Sequence, residues 1–196
     1  MTWLEGISTL VVVEPHADDA FVSCHAHMET ALQCGVKVLI VTVFANTRKR
    51  AVDAASYAKH RGANWYGMPF VEDFPLPDAA TLLEMTGPNL ALAEYGVKMI
   101  LPVAITHEDH FAVRRLFEEA HRGRFWYYLD QPYAGITKNS DATQRAIAGM
   151  RIVSYIKPDY KKYRFIPLFK DQAKFFYYNP AEKLKFNPEI LLEGAE

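Results

Sequence analysis

Two runs of β-branched and aliphatic residues, separated by a segment with helical character, constrain the fold of this chain most strongly. The runs cover residues 7–13 and 36–43, and continuous apolar runs of this length are typical of parallel strands buried on both faces. Residues 18–33 contain neither proline nor glycine, begin with two aspartates and end just before Gly35, which predicts a helix with a glycine stop. Strand, helix and strand together predict a βαβ unit.

The alternation of helices and strands continues after this unit. Further helices are predicted over residues 48–60 and 108–121, and further strands over residues 63–68 and 97–103. A helix over residues 81–95 is expected to break at Gly87-Pro88, because proline cannot donate the helical hydrogen bond. Alternation of this kind predicts an α/β sandwich with a mainly parallel sheet and right-handed crossovers.

The length of 196 residues predicts a single domain over residues 1–196, with a less regular C-terminal segment from about residue 152. Aromatic and basic side chains interleave in that segment, and no elements are assigned to it from the sequence. Such a segment commonly completes the core and forms one wall of a pocket. It also resembles a surface on which aromatics stack on bases while Lys and Arg contact phosphates, so nucleic-acid binding is kept as an alternative.

Composition and charge exclude several kinds of partner. Lys and Arg number 22 against 23 Asp and Glu, so no global field attracts nucleic acid or an anionic membrane. The apolar runs are far shorter than the roughly 20 residues that a membrane helix needs. Only Cys24 and Cys34 are present and no secretory signal is recognised, so a reducing cytoplasm is expected. Assembly into a homo-oligomer is left open.

Two loops that follow predicted strands are rich in histidine and carboxylate. The first reads Pro-His-Ala-Asp-Asp-Ala and contains His16, Asp18 and Asp19, and the second reads His-Glu-Asp-His over residues 107–110. Ligands of open parallel sheets bind at the carboxyl ends of the strands. The two loops are therefore predicted to meet on one rim of the sheet.

The residue types in these loops suit a catalytic zinc site, which takes three His or carboxylate ligands and leaves a fourth position to water. His16, Asp19 and His110 are the predicted ligands. A Zn²⁺ ion held in this way lowers the pKa of its bound water from about 15.7 to about 7. Asp18, beside the ligand Asp19, is the candidate general base. Zn²⁺ is the expected cofactor, and Fe²⁺ or another divalent ion also suits mixed ligands of this kind.

The remaining residues of the second loop fit supporting roles in amide hydrolysis. His107 is the candidate to stabilise the negative charge of the tetrahedral intermediate or to protonate the leaving amine. Asp109 is expected to hold a ring N–H of a histidine and so to fix its tautomer.

The two motifs resemble those of the PIG-L/LmbE-like zinc-dependent N-deacetylases. Pro-His-Ala-Asp-Asp is similar to the family's Pro-His-Pro-Asp-Asp-Glu, His-Glu-Asp-His to its His-Pro-Asp-His, and Arg50-Ala-Val-Asp53 to its Arg-x-x-Glu. The resemblance covers about residues 7–121 and implies a Rossmann-like, three-layer α/β/α fold. It also implies removal of an N-acyl group, commonly acetyl, from an amino sugar or conjugate. Position by position, it assigns the same roles as above and adds Arg50 as a substrate contact.

The sequence departs from the family motifs at several places and leaves alternatives open. Ala17 replaces a proline and Ala20 replaces the motif glutamate, but neither is a ligand position. His25 stands where the family has glycine, and it is expected to crowd the site or reshape the pocket. Cys24, His25 and His27 offer metal-binding side chains on the first helix, but His25 and His27 point to different helix faces, and only Cys24 and His27 have a suitable spacing. The rival function is a metal-free module that binds a sugar or nucleotide on the same rim.

Overall fold

The computed structural model describes residues 3–72, 75–90, 96–121, 125–131, 133–135, 139–157, 165, 167–169 and 188–194, with the backbone alone at residues 48 and 87–90. In chain order, the described elements are β1 (Thr9–Glu14), α1 (Asp19–Gln33), β2 (Lys37–Thr42), α2 (Arg48–Arg61), β3 (Asn64–Gly67), α3 (Ala79–Leu90), β4 (Val97–Pro102), α4 (Glu108–Ala120), β5 (Trp126–Tyr128), a 3-10 turn (Tyr133–Gly135), α5 (Ser140–Ala146), β6 (Arg151–Ile156) and β7 (Glu189–Glu193).

The described strands form one sheet in the order β3-β2-β1-β4-β5-β7-β6. The first five strands of this order are parallel, whereas β7 pairs antiparallel with both β5 and β6. β1 lies inside the sheet, where Thr9 is opposite Lys37 of β2 and Val97 of β4. The predicted α/β architecture with a mainly parallel sheet is therefore confirmed.

Helices cover the sheet on both faces, and two hydrophobic clusters result. Because successive side chains of a strand point to opposite faces, Leu10 and Val12 of β1 enter one cluster, while Val11 and Val13 enter the other. The first cluster includes side chains of α1 and α2, and the second includes side chains of α3 and α4. Double coverage explains why the central strands are apolar along their whole length.

The helix after β1 follows the sequence prediction closely. α1 begins at Asp19 after the N-cap residue Asp18, although the Asp18 side chain makes no capping hydrogen bond. At the other end, Gly35 has a φ of 78°, a left-handed conformation in which a side chain would be strained. The glycine stop is thus required by the turn that leads into β2.

Two predictions about elements need correction or lie outside the described residues. α3 is continuous from Ala79 through Gly87 and Pro88 to Leu90, so the predicted break at Gly87-Pro88 is wrong: a proline removes its own N–H donor but does not always end a helix. Most of the aromatic and basic C-terminal segment lies outside the described residues. Of its described members, Phe165 and Phe169 are buried in the first hydrophobic cluster. None of the described helices is long and apolar enough to cross a membrane.

Candidate metal centre

The two loops predicted to meet do so at the carboxyl ends of the paired strands β1 and β4. From β1 the chain builds the sheet outward through β2 and β3, and it then crosses back to place β4 on the other side of β1. In parallel sheets a reversal of this kind opens a crevice between the two strands, where ligands bind. His16 follows β1, and His107 and His110 follow β4, so all three imidazoles stand at this crevice.

His16, Asp19 and His110 each direct one ligand atom to a common region, with these atoms within 4.8 Å of one another. Oδ2 of Asp19 is 3.4 Å from Nδ1 of His16 and 3.4 Å from Nε2 of His110. Ligands about 2.1 Å from a tetrahedral zinc ion are about 3.4 Å apart. Both ring nitrogens of His110 are buried and make no hydrogen bond within the described part of the chain. The three residues, which we name the inner cluster, therefore fit a divalent cation.

The charges of the inner cluster are strongly coupled. Burial alone lowers the pKa of His110, but the carboxylates of Asp19 and Asp130 outweigh it and raise that pKa to about 10. Burial also opposes ionisation of Asp19, yet His110 and His16 bring the pKa of Asp19 far below its usual value. An ionised carboxylate between two imidazoles is a site that demands positive charge, either a proton on His110 or a metal ion.

Outer carboxylates orient the two histidines of the inner cluster. Oδ2 of Asp109 is 3.0 Å from Nε2 of His16. Oδ1 of Asp130 is 3.4 Å from Nδ1 of His110, and Oδ2 of Asp130 accepts a hydrogen bond from the Ile105 N–H at 3.0 Å. Each histidine therefore faces Asp19 with one nitrogen and an outer carboxylate with the other, the usual arrangement of metal-binding imidazoles.

Sequence reasoning missed Asp130, which is fully buried at the edge of the centre. It comes two residues after β5, at the same rim as the predicted loops. The rule that identified those loops would have identified Asp130, had the three-residue strand Trp126–Tyr128 been predicted.

Asp18, the predicted general base, is only partly exposed beside Asp19. Burial and the charge of Asp19 raise the pKa of Asp18 to about 6, although His16 and Arg50 pull it down. A carboxyl group with a pKa near neutrality can both accept and release a proton at the pH of the cell. Asp18 thus differs from its neighbour Asp19, which stays ionised.

His107 is the N-cap residue of α4, and it lies on the open side of the inner cluster. Its ring centre is 4.9 Å from that of His16 and 5.2 Å from that of His110. Nδ1 of His107 accepts a hydrogen bond from the Asp109 N–H at 3.3 Å, which places the proton of the neutral ring on Nε2. Burial and the two neighbouring imidazoles lower the pKa of His107, so the ring is neutral and can donate a hydrogen bond. Its side chain is 37% exposed, which leaves it accessible to a substrate.

Arg50 lies at the same rim, although it interacts with a residue that the sequence did not single out. Its guanidinium forms an ion pair with Glu72, and Oε1 of Glu72 is 3.4 Å from Nε2 of His16. Glu72 follows β3 in a stretch for which the sequence predicts neither a helix nor a strand. A carboxylate soon after a third parallel strand was the signal available for it.

A buried carboxylate beneath the loop fixes the start of α1 and with it Asp19. Glu14 accepts hydrogen bonds from the Ala20 N–H at 2.9 Å and from the Thr42 hydroxyl at 2.5 Å. Burial raises the pKa of Glu14 well above its ordinary value. Trp65 also donates to the Thr42 hydroxyl, at 2.9 Å, so three neighbouring strands contribute to this support.

His25 does not line the metal centre as the sequence had suggested. It is buried, its Nδ1 is 2.7 Å from the Tyr57 hydroxyl, and its ring contacts Phe21 and Phe165. It therefore packs in the core between α1 and α2, and the metal-ligand groups found among the described residues include neither His25 nor His27.

Comparison with known proteins supports the fold but does not identify the reaction. No family model and no curated protein matches the sequence. A zinc-inhibited form of a teicoplanin deacetylase has a TM-score of 0.70 and 16% identity, over 94% of this chain and 97% of that chain. The N,N'-diacetylchitobiose deacetylase of Pyrococcus horikoshii has a TM-score of 0.51 and 16% identity, over 94% of this chain and 82% of that chain. A 4-carboxy-2-hydroxymuconate hydratase of Pseudomonas putida has a TM-score of 0.51 and 14% identity, over 96% of this chain and 95% of that chain.

The fold and the site together define this chain as a mixed α/β protein with a centre of histidines and carboxylates at the carboxyl edge of its sheet. Within that class, the chain has the fold of the LmbE-like deacetylases, and the resemblance noted in its two motifs is confirmed at that level. The hydratase has a similar fold, so the reaction has to be argued from the residues of the centre.

Proposed function

We propose that this protein is a metal-dependent hydrolase that removes an N-acyl group, most simply acetyl, from an amino sugar or a sugar or nucleotide conjugate. The observation that carries the proposal is the inner cluster, in which Asp19 stands 3.4 Å from a nitrogen of His16 and of His110. The ligand set suits Zn²⁺, and Fe²⁺ is also compatible with it.

A divalent cation held by the inner cluster would supply Lewis acidity, which activates water and polarises the carbonyl group of the amide. The protein's own part in the first step is to remove a proton from the attacking water. Asp18 performs this step, since its pKa of about 6 allows the carboxylate to be present at neutral pH and to hold a proton afterwards.

His107 acts on the other side of the reacting carbonyl group. The Nε2–H of its neutral ring donates a hydrogen bond to the oxygen that becomes negative, and the ring assists protonation of the leaving amine. The capping bond from the Asp109 N–H holds the ring in the tautomer that this role requires.

Arg50 contributes to binding of the substrate beyond the amide. A guanidinium offers donors in a fixed fork, which suits hydroxyl or phosphate oxygens of a sugar or nucleotide conjugate. Its ion pair with Glu72 fixes the direction of the fork beside His16.

The test is a screen of N-acetylated sugars and conjugates with the metal-reconstituted protein, with the free amine as readout. Asp18→Ala should abolish turnover and still retain about one metal ion per chain, because Asp18 is not a ligand. Replacement of the exposed His60 by Ala is the matched control and should change neither. Undiminished turnover in Asp18→Ala would remove Asp18 as the base, and a protein that binds sugars but takes up no metal would favour the binding module.

A further inference from the structure

We infer that the rim carries a second divalent-cation site, which is outside the inner cluster and shares His16 with it. His16, His107 and Asp109 form a second group whose ligand atoms all lie within 4.8 Å of one another. The carboxylate of Glu72 lies beside this group, with its Oε1 3.4 Å from Nε2 of His16, but it is not one of the three members. We name His16, His107 and Asp109 the outer cluster.

The spacing of the outer cluster is that of a metal site. Oδ2 of Asp109 is 3.0 Å from Nε2 of His16 and 3.8 Å from Nδ1 of His107. Oε1 of Glu72 is 3.4 Å from the same nitrogen of His16. These separations bracket the distance of about 3.4 Å between ligands of a tetrahedral zinc ion. Two imidazoles and one carboxylate also form a donor set that zinc accepts, with its remaining position left to water.

His16 can serve both clusters because its two nitrogens face different neighbours. Nδ1 is turned toward Asp19 of the inner cluster, and Nε2 is turned toward Asp109 and Glu72. An ion at Nε2 displaces the proton that a neutral, inner-coordinated ring keeps there, so one proton is released to solvent. The outer site is therefore weaker than the inner one and fills after it.

The electrostatics of the outer cluster favour a cation. Two carboxylates, those of Asp109 and Glu72, approach one imidazole nitrogen, and the guanidinium of Arg50 already lies against Glu72. A divalent ion concentrates more charge than a guanidinium in a smaller volume, and the partly exposed rim lets it enter from solvent.

Occupation of the outer site has a consequence for the reaction, and this consequence rests on the proposed function. The ion replaces the 3.3 Å hydrogen bond that Nδ1 of His107 accepts from the Asp109 N–H. Nε2–H of His107 can still donate a hydrogen bond, but with Nδ1 bound to the ion the ring can no longer take up the second proton that a general acid needs in order to protonate the leaving amine. Zinc beyond the first equivalent should accordingly inhibit turnover.

The direct test measures zinc binding without any substrate. Protein freed of metal by a chelator is titrated with zinc chloride in a calorimeter, and bound zinc is counted after equilibrium dialysis. The wild type should take up about two ions per chain in two steps. His107→Ala should lose the second step and Glu72→Gln, which removes a negative charge beside Nε2 of His16, should weaken it; both should retain the first step, while the control His60→Ala should keep both steps unchanged.

Two results would overturn the inference: a wild type that saturates with one zinc ion even at millimolar zinc, or a second step that survives unchanged in His107→Ala. A separate arm measures the fraction of its own turnover that Glu72→Gln and the wild type each retain as zinc is raised. The variant should need more zinc for the same fractional loss. Two bound ions without any deacetylase activity would leave the outer site standing and reject the proposed function, so the two failures are distinguishable.

Discussion

The molecule contains two groups of histidines, and only one of them has the arrangement of a metal centre. His16 and His110 at the rim come from different loops and face a shared carboxylate oxygen of Asp19. His25 and His27 lie two residues apart on α1, and both are buried. Both groups contain buried imidazoles near carboxylates, so burial and proximity to one acid do not distinguish them.

His25 and His27 on α1, which we name the helix group, differ from the rim histidines, as the environment of His27 shows. Its Nδ1 is 3.6 Å from Oε2 of Glu189, but that oxygen already accepts a hydrogen bond from the Ala26 N–H at 2.6 Å. The His27 ring also makes an edge contact with Trp3, at 5.4 Å between ring centres. A metal site needs several donors that converge from separate segments, and the rim has them.

The largest effect is expected from His110→Ala, which removes one ligand from the inner cluster. Asp19 and His16 alone provide too few ligands for a stable zinc site, so the protein should lose bound metal and all turnover. Metal analysis after dialysis against a limiting chelator checks the first result and the amine assay the second. Retention of one zinc per chain in this variant would contradict the assignment of the inner cluster.

A large effect on turnover alone is expected from His107→Ala. Loss of the hydrogen bond to the reacting oxygen should lower kcat by about 10²- to 10⁴-fold, as for other general acids and bases. The first equivalent of metal should remain bound, because the inner cluster does not include His107. Steady-state kinetics with parallel metal analysis separates this outcome from simple loss of the ion.

A moderate effect is expected from Asp130→Asn, which keeps the shape of the side chain but removes the charge opposite Nδ1 of His110. Loss of such an outer carboxylate typically weakens metal binding by about 10- to 100-fold. Competition with a chromogenic chelator measures the change. The matched control is Asp78→Asn at the exposed start of α3, where either side chain can cap the helix and metal affinity should not change.

The smallest effect is expected from His27→Leu in the helix group. Both nitrogens of the buried His27 ring lack a hydrogen bond among the residues that the structure describes. Removal of such a polar group should leave the free energy of unfolding unchanged or raise it by about 1 kcal/mol. Chemical denaturation measures this, and bound metal should stay at the wild-type level. Loss of metal in His27→Leu would erase the distinction between the two groups.

Much of the fold could be predicted, because the parallel strands are continuous apolar runs and the loops between them contain clear helix stops. The prediction failed where an element is too short to have a pattern, as in the three-residue β5. It also failed at Pro88, because proline removes one N–H donor from a helix but does not always end it. β7, at Glu189–Glu193, pairs with strands distant in sequence and leaves only a weak local signal.

The same limits explain which parts of the site could be predicted. His16, Asp18, Asp19 and the loop at 107–110 follow long strands, so the rule for strand ends found them. Asp130 and Glu72 follow short strands, and their relation to the centre depends on how the sheet is ordered. On α1, the helical spacing of the Cys-His-Ala-His motif already places His25 and His27 on different faces, and the metal-ligand groups found among the described residues include neither of them.

The hydrogen bonds of Glu14 make the position of Asp19 depend on a strand that contains no ligand. Thr42 of β2 touches neither histidine of the inner cluster, yet its hydroxyl holds the carboxyl group that in turn holds the first turn of α1. Removal of that hydroxyl, as in Thr42→Val, would let the first turn drift and lengthen the reach from Asp19 to its two imidazoles. The cation affinity that we propose for the inner cluster is in this sense tuned from the neighbouring strand, by a residue that is not itself a candidate ligand.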